Sequence, residues 1–294
     1  MKCTRTEIIG CGHYLPAKVL TNDDLSKIVD TNDEWISTRT GIRSRHIVAE
    51  GELTSDMALK AVNQAMDNAG VTAEELDVVV VATLTPDYTT PSVAARIAGK
   101  LGVKQGTPAF DLGAACSGFV YAMTMVDNMI RLGQAKTAAV IGVESLSKIV
   151  DWTDRNTCVL FGDGAGAVIV RAIEGEGTAQ DRGVLATKIY ADGTQFDNLA
   201  TDGGISATKT AGYVHMNGKE VFKFAVGAMS EASHAVLEQA GATAEEIDWL
   251  LPHQANIRII SSVGQKLNVP DEKVIVTVDH HGNTSAASIP LALS

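Results

Sequence analysis

The sequence predicts a layered α/β protein. Its 294 residues are 45% hydrophobic and 20% charged, with 27 Gly and 7 Pro, the profile of a compact, core-rich globular chain. Apolar runs of about five to eight residues alternate with longer segments of helical period, as when helices connect the strands of a largely parallel sheet. An internal repeat points the same way. Gly70-Val71-Thr72-Ala73-Glu74-Glu75-Leu76-Asp77 returns as Gly241-Ala242-Thr243-Ala244-Glu245-Glu246-Ile247-Asp248, identical except where one apolar residue replaces another.

The elements follow in order. Residues 55–69 carry Met57, Ala61, Val62, Ala65, Met66 and Ala69 at helical spacing, with Thr54 or Ser55 available as a cap and Gly70 as terminator. Residues 77–82 lack polar alternation, as expected of a strand covered on both faces. A helix over 91–101 opens with Pro91 in its first turn. A strand over 108–112, a helix over 117–132 ended by Gly133, and a strand over 137–143 complete the pattern. In the second half, 249–252 answers the strand after the first repeat copy, and Leu267-Asn268-Val269 before a strand over 274–278 answers Leu101-Gly102-Val103 before 108–112. A period this long is a duplicated domain half rather than a solenoid repeat. It divides the chain into residues 1–172 and 173–294.

Composition excludes several functions. The 24 basic and 35 acidic residues give a net charge of −11, which argues against broad nucleic-acid binding. No stretch reaches the roughly 18 apolar residues of a membrane span, and the first residues lack the apolar run of a signal peptide. A soluble, cytoplasmic protein is the expectation. Cys3, Cys11, Cys116 and Cys158 have no CxxC spacing and form no zinc-type cluster, so reduced thiols and no metal are expected.

The repeat has a chemical consequence. Strand 249–252 delivers His253 at its carboxyl end, strand 108–112 delivers Cys116 after a short turn, and strand 274–278 delivers Asn283 after a similar one. Open α/β sheets place their ligands at such strand ends. Cys116, within Asp111-Leu112-Gly113-Ala114-Ala115-Cys116-Ser117-Gly118-Phe119, would stand at a helix N-terminus, where unpaired N–H groups favour thiolate over thiol. Taken singly, Cys116 reads as well as a small core residue, His253 as a hydrogen-bonding residue and Asn283 as a turn residue. Cys3 and Cys11 flank an early strand and Cys158 begins an apolar one, so packing suits them. Phe161-Gly162-Asp163-Gly164-Ala165-Gly166 precedes a strand over 167–170. A phosphate cradle needs a helix N-terminus, so close packing between two strands is the better reading.

Several segments together resemble the ketoacyl-acyl-carrier-protein synthase III family, the initiating condensing enzymes of type II fatty-acid synthesis. They are Thr31-Asn32-Asp33-Glu34-Trp35-Ile36, Arg39-Thr40-Gly41-Ile42-Arg43, Ala114-Ala115-Cys116-Ser117-Gly118-Phe119, Phe161-Gly162-Asp163-Gly164-Ala165-Gly166, Pro252-His253-Gln254-Ala255-Asn256 and His281-Gly282-Asn283-Thr284-Ser285-Ala286-Ala287. The resemblance implies a thiolase-like five-layered α/β/α/β/α fold of two duplicated halves and a homodimer. It also implies a Cys116–His253–Asn283 triad that condenses an acyl-CoA primer, acetyl-CoA by expectation, with malonyl-acyl carrier protein, without a cofactor. Trp35 and Arg155 would stack on the CoA adenine, Arg39 would approach phosphate, Asn256 would bond pantetheine, and Phe222 would line the acyl pocket. Carrier docking falls to Gln254, Ala255, Asn256, Ile257 and Arg258, with Lys223 and Lys266 nearby, a basic patch on an acidic enzyme. Lys219 departs from the family's usual Asn, leaving that CoA contact open.

Other readings compete. A related thiolase-fold ketosynthase using CoA-linked substrates would use the same triad. A cysteine protease shares the order Cys, His, Asn but not the duplication. A non-catalytic binding subunit would lack a triad residue, and none is missing. The sequence stops at Ser294, inside a helix begun after Asn283. The family continues to a final strand whose glycine-rich loop supplies an oxyanion-hole N–H. Either that tail lies beyond Ser294 or the protein lacks it; if it is lacking, a destabilised second half and poor condensation are expected.

Overall fold

A computed structural model describes residues 2–294. Strand β1 (Cys3–Tyr14) leads to β2 (Lys18–Thr21), α1 (Asn22–Leu25), α2 (Asp33–Thr40), β3 (Ser44–Ile47) and α3 (Thr54–Ala69). Next come β4 (Val78–Ala82), α4 (Val93–Leu101), β5 (Ala109–Leu112), α5 (Gly118–Arg131), β6 (Thr137–Glu144) and β7 (Gly164–Gly175). The short strands β8 (Leu199–Thr201) and β9 (Val214–Met216) precede α6 (Gly218–Ala240), α7 (Ile257–Lys266), α8 (Val278–His281) and α9 (Ser288–Leu293).

One sheet, in the order β1-β7-β6-β4-β5, organises the first half. Its β4 and β6 are buried along their whole length, as the unbroken apolar runs require. Alternate residues serve opposite faces. Val79, Val81, Ala139, Ile141 and Ile169 pack with Met57, Ala61, Ala65 and Ile97 from α3 and α4. Val78, Val80, Ala138, Val140 and Val168 pack with Phe119, Ala122, Val126 and Ile130 from α5. Helices therefore cover both faces. The sheet is mixed, not largely parallel: β4 runs parallel to β5 and β6, whereas β7 pairs antiparallel with both β6 and β1. The turn and loop between β6 and β7 contain no long crossover helix, so antiparallel pairing is the accessible connection.

The repeat is visible in backbone detail. Gly70 and Gly241 each end a helix in the left-handed conformation. Thr72 with Glu75, and Thr243 with Glu246, then form matching capping boxes over single 3₁₀ turns. The second copy departs from expectation after that. The strands expected over 249–252 and 274–278 reduce to a single parallel bridge, Leu250 to Val274. The segment has one neighbour, whereas β4 is flanked on both sides by β5 and β6. The second-half core instead lies between α6 and α7, around Val226, Ile259, Val263 and Leu267.

Three local expectations are corrected. Pro91 lies outside α4, which Ser92 caps by accepting from Ala95 N–H at 3.1 Å. Thr54 lies inside α3, its hydroxyl donating to the Thr85 carbonyl at 2.7 Å, so the side chain that serves this helix start is Asp56, accepting from Leu53 N–H at 3.2 Å. Cys158 lies in a buried turn rather than a strand. The glycine-rich segment does pair between two strands, Gly166 facing His13 of β1 and Gly142 of β6, and it also packs against a helix: a Cβ on Gly166 would come within 2.5 Å of Leu291 N, in α9. Gly142 similarly admits the Ala286 carbonyl onto β6. Both glycines permit the segment after Asn283 to lie directly on the sheet.

Candidate active site

The segment 283–288 gathers the three residues singled out for chemistry. Asn283 is 7% exposed and held by backbone: its N–H donates to the Leu160 carbonyl at 2.8 Å, and its own carbonyl accepts from Gly162 at 3.0 Å. The Ser285 N–H donates to Asn283 Oδ1 at 2.9 Å, leaving the amide Nδ2 as the outward donor. The Ser285 hydroxyl neighbours the Cys116 sulfur and favours its thiolate. Ser288 Oγ lies 2.6 Å from His253 Nδ1. A single tight turn thus touches all three.

Cys116 occupies the 3₁₀ turn Ala115–Ser117, immediately before α5. Ala115 sits at φ 45° and Ser285 at φ 49°. Left-handed backbone at a residue with a Cβ costs about 1 kcal/mol or more, and here both such residues stand beside the reactive groups. The helix end that favours the Cys116 thiolate is opposed by burial. Although the residue keeps partial exposure, burial pushes its thiol up, and the Ser285 hydroxyl and local N–H only partly offset this. Helix-end stabilisation of charge is smaller than the cost of desolvating it.

His253 follows the Leu250 bridge, and burial pulls its imidazole down to about 4. It is therefore neutral near pH 7 and a hydrogen-bond donor through one ring nitrogen. Gln254, expected on a docking surface, is 1% exposed. Its amide donates to Pro252 and Ile275 carbonyls and accepts from Thr277 and Val278 N–H groups. It locks the His253 backbone and faces no partner, because every arm of its amide meets buried backbone.

Glu144 was not singled out from the sequence. It closes the apolar β6 and is 0% exposed. Thr85 Oγ1 donates to it at 2.6 Å, Thr83 Oγ1 at 3.2 Å, Leu84 N–H at 3.1 Å and Ser285 Oγ at 3.3 Å. Burial pushes its carboxyl up to about 8, and the neighbouring Cys116 adds to the rise. The only advance signal is a charged residue ending an otherwise apolar run. In the unfolded chain Glu144 ionises near 4.5. Between that value and about 8 the folded state keeps a proton the unfolded state has lost, so stability falls as pH rises through this window. Glu144→Gln, which retains the shape and hydrogen bonds of the neutral acid, is expected to raise Tm over wild type by several degrees at pH 8 and by little at pH 4.5. Thermal melts at both values check this; the same gain at each would defeat it.

Arg39 and Arg155 lie 4.6 and 5.2 Å from the Trp35 ring centroid. Arg155 also donates to the Asp30 carbonyl at 2.9 Å. Stacking a base between two planar groups takes about 7 Å, so Arg155 must shift outward to admit one. Asn256 caps α7 by accepting from Ile259 N–H at 3.0 Å, which leaves its Nδ2 for other contacts. Phe222 packs in the α6–α7 core with Arg258 5.8 Å from its ring centroid. Ala255 and Ile257 are half-buried, Arg258, Lys223 and Lys266 are exposed, and Lys223 pairs with Glu220 at 3.0 Å. Among the described residues no Cys, His, Asp and Glu group could hold a metal ion, and no helix is long and apolar enough to cross a membrane.

Known proteins match this chain closely. The family model for 3-oxoacyl-[acyl-carrier-protein] synthase III matches residues 110–193, and its C-terminal model matches residues 237–294. The β-ketoacyl-[acyl-carrier-protein] synthase III of Rhodospirillum centenum is 57% identical over 289 residues, covering 98% of this chain and 89% of the relative. That of Paramagnetospirillum magneticum is 52% identical over 290 residues, covering 99% and 89%. The crystal structure of 3-oxoacyl-[acyl-carrier-protein] synthase III from Aquifex aeolicus superimposes with a TM-score of 0.90 at 49% identity, covering 98% of this chain and 89% of that one. The thiolase-type α/β fold expected from the motifs is the fold observed. On these matches, the chain belongs to the β-ketoacyl-[acyl-carrier-protein] synthase III family.

Proposed function

We propose that the protein initiates fatty-acid synthesis by condensing an acyl-CoA primer, acetyl-CoA first among them, with malonyl-acyl carrier protein. One observation carries the reading of the site. The acceptor atom of the Asn283 amide is occupied by the Ser285 N–H and His253 is neutral, so the turn presents two N–H donors and no positive charge. Two such donors suit an oxygen that becomes negative during the reaction.

In the first half-reaction, Cys116 sulfur attacks the primer thioester, forming acyl-Cys116 and releasing CoA, which takes the thiol proton. Malonyl carrier protein then loses carbon dioxide. Its thioester oxygen acquires enolate charge, received by the ring N–H of His253 and Nδ2–H of Asn283. The enolate carbon attacks acyl-Cys116, and the Cys116 thiolate leaves and is reprotonated. Decarboxylation drives the carbon–carbon bond, so the chemistry asks for no redox or metal cofactor.

Trp35 with Arg39 and Arg155 beside its ring would receive the nucleotide end of CoA, Asn256 Nδ2 would bond the pantetheine arm, and Phe222 would border the acyl pocket. The matching capping boxes support two duplicated halves, but the boundary expected between residues 172 and 173 falls inside β7, which runs to Gly175; we take the working unit to be a cytoplasmic homodimer. The decisive experiment pairs intact-mass screening of Cys116 acylation across CoA primers of increasing length with condensation assayed on malonyl carrier protein against malonyl-CoA. Preference for malonyl-CoA would favour a CoA-linked ketosynthase instead.

Carrier docking narrows to Arg258, with Lys223 and Lys266 as flanking charges. Arg258→Glu should raise KM for malonyl carrier protein about tenfold or more and leave Cys116 acylation by CoA primers near the wild-type rate, because surface charge acts on encounter with an acidic partner. Matched losses in both half-reactions would remove Arg258 from docking.

A further inference from the structure

We propose that Ser288 sets the tautomer of His253, holding the ring proton on Nε2. Ser288 opens α9 and is 2% exposed. Its Oγ lies 2.6 Å from His253 Nδ1 and 3.3 Å from the backbone nitrogen of Gln254. A backbone N–H can only donate, so it occupies an acceptor lobe of the serine oxygen. Two arrangements remain for the ring. If Nδ1 carried the proton, the oxygen would accept twice and its own hydroxyl proton would need a third partner. Among the described residues the Ser288 hydroxyl has none besides these two. If Nδ1 is bare, Ser288 donates to it, each atom is satisfied, and the ring proton rests on Nε2. Leaving a buried hydroxyl proton without an acceptor is the costlier state.

The donor that feeds this arrangement is itself fixed. The Gln254 side chain ties its own loop to Pro252, Ile275, Thr277 and Val278, which aims the Gln254 N–H at Ser288. The buried, neutral ring then behaves as a single tautomer rather than as a mixture. For the condensation proposed above, on which the catalytic part of the assignment rests, Nε2–H is the donor that meets the enolate oxygen. Ser288 is thus a positioning residue: it acts on the reaction through His253.

The test reads protons directly. Full-length protein labelled with ¹⁵N-histidine is examined by NMR at pH 7, with the His253 signals assigned by their loss in His253→Gln. Wild type is expected to give a bare Nδ1 and a protonated Nε2. Ser288→Ala should move both shifts toward a mixed tautomer, and Ser288→Thr, which keeps the hydroxyl, should restore them. A protonated Nδ1 in wild type, or an unmixed Nε2–H ring in Ser288→Ala, overturns the assignment. In kinetics, Ser288→Ala should lower kcat for condensation about tenfold or more with a smaller change in KM for the malonyl thioester. A rise confined to KM counts against it. Because the spectra need no substrate, a chain with the expected tautomer but no condensation activity would refute the proposed function and leave the tautomer assignment standing.

Discussion

Cys116→Ala protein incubated with acetyl-CoA gains no acetyl mass, whereas wild type gains one acetyl group per chain. The expected loss is at least about 10³-fold in acyl transfer, the scale of removing a covalent nucleophile. The other thiols cannot substitute. Cys158 is 0% exposed and its thiol is pushed up to about 11 by burial and the nearby Asp154. Burial also raises Cys11, and Cys3 lies on β1 with its sulfur 3.8 Å from the Asp181 carboxylate. Cys116 alone stands on a turn before a helix, with the Ser285 hydroxyl beside it. Since burial raises its thiol, the reactive thiolate is the minor form at pH 7 and grows as pH increases. Acylation of wild type should therefore accelerate from pH 7 toward pH 9. An acyl adduct that persists in Cys116→Ala, or one that maps to Cys158 in wild type, would refute the assignment.

The contrast between expectation and structure follows a physical line. The α/β class, the buried β4 and the repeated Gly-x-Thr-Ala-Glu-Glu unit were legible because period, apolar runs and caps act over a few residues. The approach of Cys116, His253 and Asn283 to one turn was legible because strand ends and a duplication imply convergence. What escaped depends on surroundings the sequence does not display. Gln254 reads as polar and surface-seeking, yet its side-chain amide makes four hydrogen bonds to buried backbone, two of them from Thr277 and Val278. Cys116 reads as a helix-end thiolate until Ser285, Ala286 and Glu144 are folded around it. Glu144 reads as the charged end of a strand, but the threonines that make it tolerable, Thr83 and Thr85, come from the turn after β4, 61 and 59 residues earlier in the chain. Strand pairing at 249–252 failed for a similar reason: a single neighbour gives one bridge, not a ladder.

Asn283→Asp should be more damaging than Asn283→Ala, although aspartate is nearly isosteric. The alanine variant loses one donor to the enolate, a deletion that costs about 10² to 10³-fold in comparable sites. Aspartate can still accept from Ser285 N–H through one oxygen, so the turn should hold. Its second oxygen, however, places negative charge where Nδ2–H stood, at a position only 7% exposed. In so poorly solvated a place the charge opposes the enolate and further raises the Cys116 thiol. Condensation should fall at least about 10³-fold, with acylation of Cys116 reduced less. A pH series separates electrostatics from disturbed packing. In wild type His253 stays neutral down to about 4; in the variant, lowering the pH from 7 to 5 protonates the introduced carboxyl, which removes the charge opposing the enolate and supplies a donor. Condensation by Asn283→Asp, measured relative to wild type at each pH, should then recover toward the Asn283→Ala level. An aspartate variant as active as the alanine variant at pH 7, or one whose relative rate does not rise on acidification, would mean that Asn283 holds the turn but does not receive the enolate charge.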